Sequence, residues 1–177
     1  MNKYLPGIML GIILFATTQL FGNNHHLLKL KSGNYTIEKN VKDLHPKQFE
    51  GSKNNGYYYV FINFNEIPTS ELKVELANAG VELLDYLPHH TFLSRIKEGV
   101  DFDVLMSFNV YSVFNVESKY KLSYDLSIGR YPEHAVKGNK IQLVVKHQPD
   151  VPEEEMDRFY RNSGAHVLDH YTFSSLT

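Results

Sequence analysis

A gapless shift of 84 residues lays Tyr57 to Leu93 onto Ile141 to Thr177, and this internal likeness is the strongest constraint on what the chain can fold into. Identical pairs are Pro68 with Pro152, Glu71 with Glu155, Asn78 with Asn162, Gly80 with Gly164, Leu84 with Leu168 and Asp85 with Asp169. They fall at a helix start, a helix stop and the strand that follows, where backbone geometry dictates residue type. Two related modules are therefore expected.

The first copy has a regular pattern. Tyr57–Phe64 reads as a strand, Pro68 opens a helix over Thr69–Ala79 with Leu72, Leu76 and Ala79 on one face, and Gly80 stops it. Val81–Leu87 and Thr91–Ile96 read as strands around a Pro88-His89-His90 turn. Gly99–Asn109 reads as a helix presenting Phe102, Leu105 and Phe108, and Val110–Val116 as a last strand. The order βαββαβ predicts an α+β chain of tandem ferredoxin-like modules, the second truncated after its βαβ start. The expected boundaries are a signal peptide at 1–22, a polar lead-in at 23–56, the first module at 57–118, a linker at 119–139 and the incomplete second module at 140–177. A piece that lacks a strand, a helix and a closing strand leaves its sheet unfinished, so the natural sequence is expected to continue.

Lys3 followed by the apolar run Leu5 to Ala16 reads as a signal peptide. The run is shorter than the roughly 20 residues that span a bilayer, and Pro6 and Gly7 interrupt it, so secretion without a stable membrane anchor is expected. Cleavage is placed near Gly22, although Leu20 is larger than the small residue usually wanted two positions earlier.

With 18 basic and 20 acidic side chains the chain has no electrostatic footprint for nucleic acid. The absence of cysteine excludes disulfides, thiolate metal sites and thiol nucleophiles. No phosphate-binding loop, His-Glu-x-x-His or Gly-x-Ser-x-Gly motif occurs. His166 and His170, four apart on an expected strand, would lie about 13 Å from each other, too far to share an ion. His25-His26 and His89-His90 read as solvated histidines, and Glu153-Glu154-Glu155 as a favourable helix start. Asn34-Tyr35-Thr36 is a glycosylation sequon. No catalytic, metal-binding or cofactor-binding residue is expected.

The run YYYVFINFNEIPTSELKVELANAGVELLDYLPHHTFLSRI, and above all AGVELLDYLP, resembles the N-terminal pro-region module of secreted bacterial subtilisin-like serine peptidases that carry tandem modules. The upstream LKLKSGNYTIEKNV is similar to the lead-in of such precursors. The resemblance implies a folding chaperone and inhibitor whose partner is the subtilisin-like catalytic domain of the same precursor. None of the Asp-Thr-Gly, His-Gly-Thr or Gly-Thr-Ser text of that domain is present, so no triad residue is assigned here. The competing reading is a non-enzymatic secreted binding module, either a freestanding peptidase inhibitor or an adhesion-type repeat protein.

One surface is singled out by comparing the opening strands. Tyr57, Tyr59 and Phe61 match apolar Ile141, Leu143 and Val145 and are expected to face each module's helices. Tyr58, Val60, Ile62 and Phe64 correspond to Gln142, Val144, Lys146 and Gln148, so this apolar set is expected to be a docking face. The alternative is that the lead-in, around Leu27–Leu30, folds over it.

Overall fold

A computed structural model describes residues 26–148 and 150–170; the apolar run at 5–16 and His25 lie outside them. The chain divides into two compact units at Gly129/Arg130. It is α+β, and its sheets are antiparallel.

The first unit opens with a hairpin, β1 (Leu27–Leu30) and β2 (Gly33–Thr36), then a 3-10 helix (Pro46–Ser52) and a short β3 (Lys53–Asn54). There follow β4 (Tyr57–Phe64), α1 (Ser70–Asn78), β5 (Val81–Leu87), β6 (Thr91–Lys97), a 3-10 helix (Phe102–Phe108) and β7 (Val110–Asn115). Strand β4 is central: β6 pairs along one side of it, β3 and β7 pair with it as well, and β5 pairs with β6. The short helices α2 (Ser118–Lys121) and α3 (Tyr124–Ser127) close the unit.

Local chemistry explains the element ends. The Thr69 hydroxyl accepts from Leu72 N–H at 3.3 Å and caps α1. Gly80 ends the helix turn at φ +84°, donating its N–H to Ala77 O at 3.0 Å. The segment expected as an α-helix over Gly99–Asn109 is a 3-10 helix instead. Phe102, Leu105 and Phe108 are spaced by threes, which keeps one face buried at three residues per turn, and Asn109 at φ +55° stops it.

The lead-in is not a separate segment. Leu28, Ile37, Val41, Leu44 and Phe49 are buried, the last three in the same core as β4. They escape a periodicity search because they lie in short and irregular stretches rather than along one long element.

In the second unit, β8 (Val136–Lys137) pairs with β9 (Lys140–Ile141), and α4 spans Glu153–Asn162. The repeat holds at this helix: Gly164 at φ +78° donates to Arg161 O at 3.1 Å, as Gly80 does to Ala77. It does not hold at the strands. Residues 142–148 and 165–170 form no strand. Strand β4 is held by the ladders of β6 and β7, and the counterpart of β6 would begin at Ser175, outside the described residues. Among the described residues of this unit no side chain is buried. Amides of α4 are therefore expected to exchange orders of magnitude faster than those of β4. Native-state hydrogen exchange checks this, and equal protection would mean that α4 has a covering partner.

The two helix-stop glycines differ in surroundings. A Cβ at Gly80 would sit 2.8 Å from Val100 Cγ2, whereas nothing lies within 4 Å at Gly164. Gly80→Ala is expected to destabilise the first unit by about 2–3 kcal/mol, combining left-handed strain with this clash, and Gly164→Ala to cost the strain alone, about 1 kcal/mol. Urea denaturation for the first and helical chemical shifts for the second check the difference.

Candidate functional site

The four residues expected to dock are core. Tyr58, Val60, Ile62 and Phe64 are at most 4% exposed and pack with Leu76, Phe102 and Leu105. The other set, expected to face the helices, lies instead under the N-terminal hairpin: Phe61 packs with Leu28 and Ile37, with Leu93, Phe114 and Tyr120 alongside. The two faces of β4 are thus the reverse of the sequence expectation. The physical reason lies outside the strand, which is apolar on both sides: Leu76, Phe102 and Leu105 arrive on one face, Leu28 and Ile37 on the other. The lead-in covers both faces: its hairpin lies on this second one, while Val41, Leu44 and Phe49 join the core on the first.

Asn63 is fully buried and fully engaged. Its amide nitrogen donates to His89 O at 2.8 Å and to Thr91 Oγ1 at 2.9 Å, so its Oδ1 is the acceptor for His26 Nδ1 at 2.7 Å. The imidazole must then carry its proton on Nδ1. The His26 ring also stacks on Tyr111, with centroids 3.4 Å apart and planes 10° apart. Chemically this is a lock that ties the hairpin to the sheet, since the imidazole is committed to a neutral amide. His89 and His90 form the β5–β6 turn at φ +61° and +59°, and His90 O accepts from Phe64 N–H at 2.9 Å.

The aromatic patch beneath the hairpin extends to Tyr120, which meets Tyr35 edge-on at 4.8 Å. Burial pushes the Tyr120 phenol above its ordinary value, with Glu117 adding to the effect, and the hydrogen bond to Glu117 raises Lys119.

A third arrangement seals one edge of the sheet. The Asn40 side chain behaves as a one-residue strand against β7: Nδ2 donates to Val113 O at 2.6 Å, while Oδ1 accepts from Val113 N–H at 2.9 Å and from Ser112 Oγ at 3.1 Å. Asn40 N–H reaches Tyr111 O at 3.4 Å, and Asn115 Nδ2 donates to Gln48 O at 2.9 Å. Sequence reasoning passed over Asn40 and Asn63 and read His26 as a solvated histidine, whereas its ring is half-buried between Asn63 and Tyr111. Only Asn63 left a signal, as a lone amide within the otherwise apolar run YYYVFINF.

Among the described residues no group of three His, Asp or Glu side chains is placed to hold a metal ion. His166 and His170 are not on a strand. His170 Nδ1 lies 2.9 Å from Glu153 Oε1 and its Nε2 3.7 Å from Asp157 Oδ1, beside the start of α4. No helix among the described residues is long and apolar enough to cross a membrane.

Residues 29–117 match the family described as a domain of unknown function (DUF8729). The chain belongs to this family. The family's stretch begins within β1 and ends just past β7, so it joins the lead-in hairpin, the Asn40 plug and the five-stranded sheet in one domain. Neither the curated proteins nor the solved structures compared with the chain give a match.

Proposed function

We propose that the chain is the pro-region of a secreted subtilisin-like serine endopeptidase, acting as a folding chaperone and inhibitor of a catalytic domain in the same precursor. The observation that carries the reading is the antiparallel order β7-β4-β6-β5, with α1 between β4 and β5 and a 3-10 helix between β6 and β7. This order supports the ferredoxin-like split βαβ reading that the sequence resemblance implies. The correspondence of α4 and Gly164 with α1 and Gly80 supports reading the second unit as a partial second copy. The mechanism needs no catalytic residue in this chain: binding energy for the native peptidase lowers its folding barrier, and proteolysis then removes the template.

The test is addition of the full chain to the denatured catalytic domain of the same precursor. Recovery of activity is expected to accelerate about tenfold or more, and the native peptidase to be inhibited at equimolar chain. No acceleration and no inhibition, or a precursor without such a domain, would sink the reading. The freestanding binding module is then the better account. It is favoured by one observation, that the first unit covers both faces of its sheet with its own residues.

A further inference from the structure

The two copies differ in chemistry at the place where the segment after the helix returns to it. The shift of 84 residues sets Lys73 of α1 against Asp157 of α4, and Tyr86 of β5 against His170. In the first unit Tyr86 and Lys73 come together around one ring, that of Phe92: the Tyr86 centroid is 5.1 Å from it and Lys73 Nζ 5.6 Å. In the second unit the corresponding pair meets directly, with His170 Nε2 3.7 Å from Asp157 Oδ1, while His170 Nδ1 lies 2.9 Å from Glu153 Oε1. A cation on an aromatic ring has been replaced by an imidazole between two carboxylates.

This contact matters because the unit has little else. No side chain among its described residues is buried, and past Ala165, whose N–H donates to Tyr160 O at 3.0 Å, the polar contacts that return the described segment to α4 are those of His170. The charged groups facing the ring are Glu153 and Asp157 from the helix, and in its own segment Asp169 accepts the main-chain N–H of His170 at 2.8 Å. Asp157 Oδ1 is shut off from solvent and has no hydrogen-bond partner. A neutral imidazole has one N–H. Donating it to Glu153 turns the lone pair of Nε2 toward this buried oxygen, and the other tautomer turns the lone pair of Nδ1 toward Glu153. Only the imidazolium presents an N–H to each carboxylate.

We infer that His170 is a pH-sensitive clasp: protonated, it holds segment 165–170 against α4, and on losing its proton it releases the segment. The protonated ring alone has both partners, so the tie is complete in acid and is lost as pH rises through the ordinary imidazole range, about 5–8. His170 and Glu153 are half or more exposed, which keeps the change moderate. Only residues of the second unit take part, so the clasp is independent of the pro-region reading.

The test is NMR of the isotope-labelled full chain between about pH 5 and 8 with a chelator present. Through-space contacts from the His170 ring to Glu153 and Asp157 are expected in acid and to weaken about threefold or more at the alkaline end, with the amides of Val167 and Leu168 shifting along the same curve as the ring. His170→Gln is expected to flatten that curve. His166→Gln, which alters the exposed histidine of the same segment, is expected to leave it unchanged. Asp157→Asn removes one of the two charges that favour the imidazolium and is expected to move the midpoint to lower pH. Any of three results overturns the clasp: ring contacts absent in acid, ring contacts unchanged at the alkaline end, or a pH response of Val167 and Leu168 that survives in His170→Gln.

Discussion

Replacing Ile62 with lysine is expected to unfold the first unit. Ile62 has no exposed surface and sits between the helix side chains and β4's neighbours, paired across the ladders with Phe92 and Val113. Losing its burial costs about 1.5–3 kcal/mol, and an ammonium with no partner in this core adds several kcal/mol more. A domain of this size holds about 5–15 kcal/mol in total, so the cooperative transition should be lost or lowered by tens of degrees. Circular dichroism through a thermal scan decides the matter. A variant that melts within a few degrees of the parent would return this face to the surface and restore it as a docking site.

Replacing Asn40 with alanine is expected to cost about 2–4 kcal/mol, far more than an exposed loop residue normally does. Three groups lose their partner together: the N–H and C=O of Val113, a residue with no exposed surface, and the Ser112 hydroxyl. Each buried group left unpaired costs about 1–3 kcal/mol, and entry of water at the opened edge recovers part of that. Asn40→Asp should cost a comparable amount, because a carboxylate keeps the acceptor but sets a negative oxygen against Val113 O in place of the donor. The measurement is urea denaturation together with exchange of the Val113 amide. A loss below about 0.5 kcal/mol would show that the edge is sealed by other means.

How much of this was legible in the residues varies by element for physical reasons. Strands β4, β5, β6 and β7, the cap at Thr69 and the glycine stop at Gly80 follow from side-chain period and backbone preference, and the structure has each within a residue or two. The spacing Phe102, Leu105, Phe108 announced a buried helical face, while its 3-10 form was not read from the residues. The Asn40 plug was illegible, because an asparagine in an irregular polar stretch looks the same whether it meets water or the backbone of β7.

The sequence by itself determined the order of elements from β4 to β7, because each depends on neighbours a few residues away. It also determined the second helix and its stop, for the same reason. Only the tertiary structure decided which face of β4 is inside. The run YYYVFINF is apolar on both sides, so alternation could not choose, and the choice fell to what arrives from elsewhere in the chain: Leu76, Phe102 and Leu105 on one face, Leu28 and Ile37 on the other. Tertiary structure likewise decided that residues 142–148 and 165–170 form no strand, since a strand is stabilised by ladder partners and not by its own sequence.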